Sequence, residues 1–208
     1  MDCNPQAKLP LDWHIAARPM NGQPVSGDLH LVKPFDHGVL LAVVDGVGHG
    51  DEATAAARTA VAILEKHASA SVANLMQRCH DALKSTRGVV MTVVSLNTAT
   101  RTLTWLGVGN VEGRLLREDA HARHPAESVL LRGGLVGLQL PMLQASTLSV
   151  APGDLLVLAT DGIAHGFDRQ IQRQETPRQI AEGILQRHFK GVDDALVLVA
   201  RMAGESHE

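Results

Sequence analysis

Hydrophobic residues in this chain gather in short, nearly unbroken runs, among them Gly38-Val-Leu-Leu-Ala-Val-Val44, Leu155-Leu-Val-Leu-Ala-Thr160 and Ala195-Leu-Val-Leu-Val-Ala-Arg201. Runs of this length, rich in β-branched residues and bounded by turn-formers, predict strands buried in a core. Two further strands are expected around Asp12 to Ala17 and Asp28 to Lys33, with Pro19, Gly22 and Pro24 marking the loop between them. Val89 to Leu96 and Thr102 to Val108 read as a hairpin across Asn97-Thr-Ala-Thr-Arg101, and Val111 to Arg117, Ser128 to Arg132 and Ser146 to Val150 continue the series. Pro152-Gly153-Asp154 then turns the chain into the strand that ends at Asp161.

Between the third and fourth strands the rhythm changes to a helical one. From Asp51 to His67 small or apolar residues fall at 53, 56, 57, 60, 63 and 64, one face of a helix whose acidic start and Lys66–His67 end suit its dipole. A second helix is predicted from a Ser71 cap, with Val72, Leu75, Met76, Cys79 and Leu83 as its buried stripe and Gly88 as its stop. A third follows a Thr176 cap, with Pro177 at its first position and Gln179 placed to complete a capping box. Strands, two helices, many strands, a helix and a strand do not alternate as βαβ units do. The expected class is α+β, one domain built on antiparallel sheets.

Composition narrows the function without naming it. At 208 residues, 45% hydrophobic and 20% charged, the chain can bury a substantial core. A net charge of -3 and 2% aromatic residues offer neither a phosphate-neutralising surface nor stacking platforms, so nucleic acid is not an expected partner. No apolar stretch reaches the roughly 18 residues of a membrane span, and Met1-Asp-Cys-Asn-Pro-Gln6 lacks the pattern of a secretory leader, so no membrane association is expected. Cys3 and Cys79 are too few for a disulfide framework. A cytoplasmic location is the expectation.

The chemistry lies where the apolar runs stop. Asp45 closes one run, Asp161 closes the second, and Asp193 with Asp194 opens the third. A single Asp-Gly after a strand is usually just a turn. Several carboxylates at the edge of a core are costly unless paired or bound to metal. Glycine follows in Asp45-Gly46 and Asp161-Gly162, which would let the backbone turn sharply and present a carbonyl oxygen to the same ligand. Oxygen donors alone select a hard cation.

Taken in order, Ser26-Gly-Asp28, Asp45-Gly-Val-Gly-His-Gly50, Thr160-Asp-Gly162 and Asp193-Asp194 resemble the motif set of the type 2C metal-dependent serine/threonine protein phosphatases, in the compact bacterial branch that regulates sigma factors. The resemblance runs from about Asp12 to Arg201, and the short stand-alone phosphatases of the stressosome are the most similar members. It implies a four-layer α-β-β-α sandwich with two antiparallel sheets, and two Mn²⁺ or Mg²⁺ ions. By resemblance, Asp45 would bridge the ions with the carbonyl of Gly46 helping to hold one; Asp161 and Asp193 would hold the other, and Asp28 would act on the first. Two such ions can activate a water for direct attack on phosphorus and neutralise the phosphoryl group. The implied substrates are phospho-Ser/Thr residues on STAS-domain proteins of a stressosome or sigma-factor pathway. A non-catalytic phosphoprotein-binding module on the same fold and a small-molecule phosphatase are the alternatives.

Other candidates are weaker. Cys79 has no arginine six positions on, as a cysteine phosphatase loop needs, and reads as buried helix filler. No sequence matches a nucleotide-binding loop, since Gly46-Val-Gly-His-Gly50 and Gly107-Val-Gly-Asn-Val-Glu-Gly113 both miss the required spacing. His49 sits inside the metal-loop motif, as a contact to phosphate or as a solvent-facing residue. Arg18, ten positions before Asp28, is the nearest match to the arginine with which many relatives grip phosphate, although a plain surface role fits it as well. Gly109-Asn110-Val111 replaces a Gly-His pair found in sensor-linked relatives, and with the polar segment Arg117 to Pro125 it is where partner choice is expected to be shaped.

Overall fold

Alternate residues of the apolar runs enter different cores. In the computed structural model, which describes residues 11–22, 24–48 and 50–204, strand β3 (Gly38–Gly46) sends Val39, Leu41 and Val43 into a core between two sheets, while Leu40, Ala42 and Val44 lie beneath helices. A strand covered on both faces has no polar side, which is why the run is continuous in sequence. Strands β10 (Leu155–Ala159) and β11 (Ala195–Met202) behave alike: Leu156, Leu158, Leu196 and Leu198 face the other sheet, and Leu155, Val157, Val197 and Val199 face a helix.

One sheet has the order β1 (Leu11–Arg18), β11, β10, β6 (Glu112–Leu116), β7 (Ala126–Ser128). The other runs β2 (Asp28–Phe35), β3, β4 (Val89–Asn97), β5 (Thr102–Val108), β8 (Leu131–Arg132), with β9 (Ser146–Ser149) also pairing β5. Helices α1 (Asp51–Lys66) and α2 (Val72–Ala82) cover the outer face of the second sheet, and α3 (Pro177–His188) covers the first. This is the expected α+β sandwich of four layers. Ala53, Ala56, Ala57, Ala60 and Leu64 form the buried face of α1, the small side chains letting it lie close to the sheet. The Thr176 capping box of α3 is formed, with Gln179 N–H bonding the threonine hydroxyl and the glutamine side chain taking the Thr176 N–H.

Two local expectations are corrected and one element is added. The stretch Ser128 to Arg132 is not one strand: it leaves the first sheet at β7 and joins the second at β8, which lies parallel to β5. The crossing needs room that glycine supplies, since a Cβ on Gly113 would stand 3.0 Å from the Val129 side chain and one on Gly107 2.6 Å from Leu131. Helix α2 stops well before Gly88. Its last N–H bonds, from Leu83 to Cys79 and His80, give way to a turn in which the Thr86 hydroxyl caps the Leu83 carbonyl. Gly88 instead has φ +77° and admits Val136, whose carbonyl would lie 2.7 Å from a Cβ there. A short 3₁₀ turn at Phe167–Gln170, unforeseen, buries Phe167 against α3.

The layer between the sheets is tightly enclosed. Leu41 has no exposed surface in it, so Leu41→Ala is expected to cost about 2–5 kcal/mol of unfolding free energy, measured by urea denaturation at constant slope.

Candidate metal centre

The inward parity of the strands continues past the last apolar residue into the acidic ones. Asp45 follows Val39, Leu41 and Val43 on the inter-sheet face of β3, and its register partner across the ladder is Asp28 at the start of β2. Thr160 extends the Leu156–Leu158 face of β10, and Asp194 precedes the Leu196–Leu198 face of β11. All four meet at one end of the sandwich. Thr160 there joins the two sheets: its hydroxyl donates to Asp28 Oδ2 at 2.7 Å and accepts the Leu196 N–H at 2.8 Å.

The chain turns at Asp161-Gly162 as expected, with the Ile163 N–H on the Thr160 carbonyl, whereas Asp45-Gly46 stays within β3; both glycines also serve a purpose besides turning. Neither has a positive φ. A Cβ on Gly46 would lie 2.1 Å from the Ala53 carbonyl oxygen, and one on Gly162 1.9 Å from that of Asp194. Gly46 thus lets the first turn of α1 settle onto the end of β3, and Gly162 lets the β10 turn press against the start of β11. The close approach is what gathers the acidic positions.

Asp45, Asp161 and Asp193 line one open cleft of about 280 Å³, whose rim includes Met20, Gly48 and Val192. Asp28 lies just beneath, 5% exposed. The five positions singled out in the sequence, Asp28, Asp45, Gly46, Asp161 and Asp193, are therefore brought to one place. The neighbouring Asp194 does something else: its two oxygens accept the N–H groups of Met20 at 2.7 Å and Gly27 at 2.6 Å, fixing the loop that leads to Asp28. Gly27 in turn accepts the Gly46 N–H.

Asn110 and Lys190 were not foreseen as part of the site. Asn110 Nδ2 donates to Asp161 Oδ2 at 2.7 Å, so the Gly109-Asn110-Val111 segment aims a cleft carboxylate as well as shaping the rim. Lys190 grips the same turn twice, through its N–H on the Gly162 carbonyl and its ammonium on the Asp161 carbonyl. No spacing rule marks either residue in advance. Arg18 reaches this end of β11, paired in register with Ala195, but its guanidinium lies over the Phe189 ring, 5.2 Å from the centroid. His49 falls outside the described residues. Cys79 is fully buried against the Ala60 carbonyl and burial pushes its thiol up to about 12, which leaves no thiolate for nucleophilic chemistry.

Charge is the problem the site presents. Burial, then repulsion from Asp28, Asp161, Asp193 and Asp194, pushes Asp45 up to about 9. Burial also pushes Asp28 up to about 7, against the Thr160 hydrogen bond and with the help of Asp194, Asp193 and Asp161. Asp161 is raised by burial and by Asp193, with Lys190 pulling the other way. Among the described residues no three His, Cys, Asp or Glu side chains stand close enough to grip one ion in this arrangement. An all-oxygen donor set whose repulsion a cation relieves fits a hard divalent ion.

Because Asp28 and Asp45 hold protons more tightly folded than unfolded, their contribution to stability is full below about pH 4 and declines as pH rises toward 9. Metal-free protein should therefore melt at progressively lower temperature over that window. Asp45→Asn should melt higher than the parent at pH 8 without metal, and should gain less when Mn²⁺ is added. A lower melting temperature for metal-free Asp45→Asn would contradict the repulsion.

Comparison with known proteins agrees with this architecture. Residues 36–203 match the family model described as Stage II sporulation protein E (SpoIIE); Asp28 lies just ahead of the match. Phosphoserine phosphatase RsbX of Bacillus subtilis (strain 168) is 27% identical over 142 residues, which cover 68% of this chain and 69% of RsbX. A solved structure from work on the bacterial stressosome as a modular system controlling secondary messenger signalling is 29% identical with a TM-score of 0.83, covering 92% of this chain and 99% of that one. RsbX in complex with magnesium superposes with a TM-score of 0.83 at 21% identity, covering 93% and 96% of the two chains, and so shares the fold. With the family model spanning most of its length, the chain belongs to the SpoIIE family.

Proposed function

We propose that this protein is a metal-dependent phosphatase that removes phosphate from serine or threonine of a partner protein in a stressosome pathway. The observation that carries the reading is the convergence of Asp28, Asp45, Asp161 and Asp193 at one end of the sandwich, with an open cleft above them. Asp45, Asp161 and Asp193, with the carbonyl of Gly46 and Asp28 behind, would hold Mn²⁺ or Mg²⁺, in keeping with the magnesium bound by RsbX. Bound there, a pair of divalent ions supplies water activation and neutralisation of phosphoryl charge.

The protein's own groups orient and confine. Thr160 fixes one oxygen of Asp28, Asn110 fixes one of Asp161, and Asp194 fastens the 20–27 loop. Lys190 holds the Asp161-Gly162 turn. Fixed side chains of this kind limit the reorganisation that a charged transition state would otherwise demand. Cys79, sealed in the core, supplies no nucleophile, and direct attack by water on phosphorus requires no covalent phosphoenzyme.

Substrate choice is proposed to rest on surfaces around the cleft, since metal ions hold any phosphate monoester alike. Phosphorylated STAS-domain proteins are the substrates that the likeness to RsbX and to the stressosome-related structure favours.

Turnover of p-nitrophenyl phosphate should require added Mn²⁺ or Mg²⁺ and vanish with chelator, and Asp45→Asn or Asp161→Asn should lose orders of magnitude in rate while Cys79→Ala retains it. Full activity after exhaustive metal removal would reject the mechanism. For the partner, a STAS protein phosphorylated by its cognate kinase should lose phosphate faster than an unrelated phosphoprotein. Equal rates would reject the substrate assignment and leave the chemistry standing.

A further inference from the structure

With two divalent ions offset by the charges of Asp28, Asp45, Asp161 and Asp193, the loaded cleft would be close to neutral. The dianion of a phosphate monoester would then be steered and held better with a further cation at the mouth that is free to change partners. Two of the cations at this end of the molecule are committed. Lys190 is tied to the carbonyl of Asp161, and Arg18 is stacked over Phe189. Arg87 is different. Its Nε pairs with Glu52 in the first turn of α1, and both side chains are open to solvent, 53% and 70% exposed. An ion pair between exposed side chains contributes little to stability, so exchanging its carboxylate for another anion is inexpensive.

Arg87 does not line the cleft itself but stands beside a residue that does. Gly48, which lines it, has φ +91°, and a Cβ there would stand 2.9 Å from an Arg87 guanidinium nitrogen. The Val47 N–H donates to the Gly88 carbonyl at 3.2 Å, fastening the loop after Asp45 to the loop that carries Arg87. The backbone that carries Arg87 is therefore held beside the acidic floor, while its guanidinium and Glu52 sit on the surface. A planar guanidinium can take two phosphoryl oxygens at once, which an ammonium cannot.

We propose that Arg87 binds the phosphoryl group of the substrate at the mouth of the cleft, leaving Glu52 to do so, and that Glu52 is the competing anion that holds Arg87 ready. The proposal rests on the phosphatase reading and adds to it a residue and a competitor. It makes a prediction of sign that a plain surface ion pair does not. Loss of Arg87 and loss of the Glu52 charge should act in opposite directions on phosphate affinity, whereas a pair that merely braces the loops would make both losses act alike.

The test is steady-state turnover of p-nitrophenyl phosphate with Mn²⁺, together with calorimetric titration of inorganic phosphate into the Mn²⁺-loaded protein, for the parent, Arg87→Ala, Arg87→Lys and Glu52→Gln. Arg87→Ala should raise KM and the phosphate Kd roughly tenfold or more with a smaller change in kcat, as expected for loss of a charge-assisted contact. Arg87→Lys should recover part of the affinity, and Glu52→Gln should lower both constants below those of the parent. Melting temperatures close to the parent's would show that all three variants fold. An unchanged KM and phosphate Kd in Arg87→Ala, or weaker phosphate binding in Glu52→Gln, would overturn the assignment while an active parent kept the phosphatase reading intact. A parent that neither turns over the ester nor binds phosphate would overturn both.

Discussion

The cost of withdrawing a cluster of carboxylates from water, with their mutual repulsion added to it, is the constraint around which the rest of the molecule is arranged. Asp28 and Asp45 face each other across a strand pair, with Asp161, Asp193 and Asp194 near enough to be felt electrostatically. Left to itself such a group would open outward into water. It is held in place by the sandwich: each acidic residue lies at or within two residues of a strand end, and β3, β10 and β11 are locked into apolar layers on both faces. The stability of the core thus supports charges that by themselves weaken the fold, a common trade at sites that bind ions.

The acidic side chains divide this labour. Asp194 is satisfied by two backbone N–H groups and acts as a clamp on the loop before β2, while its neighbour Asp193 stays on the cleft. Thr160 stitches the sheets together at the level of Asp28, so one hydroxyl ties the alignment of two sheets to the aim of one carboxylate. The glycines beside Asp45 and Asp161 remove the side chains that would hold α1 and β11 away from the turns. A catalytic group placed by such supports needs little reorganisation. Arg87 and Glu52 stand outside this buried scaffold, which is why they are suited to exchanging partners.

The sequence by itself determined the strand and helix order, the capping of α2 and α3, the α+β class and the candidate acids, because each leaves a local mark: doubly covered strands read as unbroken apolar runs, caps as Ser71 and Thr176, and misplaced charge as aspartate at the end of a run. Where neighbouring residues compete for a role, that mark is ambiguous. Asp193 and Asp194 look equivalent in the chain, and only the approach of the 20–27 loop, supplying two N–H donors, gives them different work. Asn110, Lys190 and Arg87 carry no motif, since their importance comes from elements distant in sequence that the sandwich sets side by side. The end of α2, the crossing of 128–132 between sheets and the role of Gly46 and Gly162 were likewise decided by tertiary structure. At Gly107, Gly113 and Gly162 the deciding fact is the close approach of segments distant in the chain, and periodicity contains no information about which remote segments will meet.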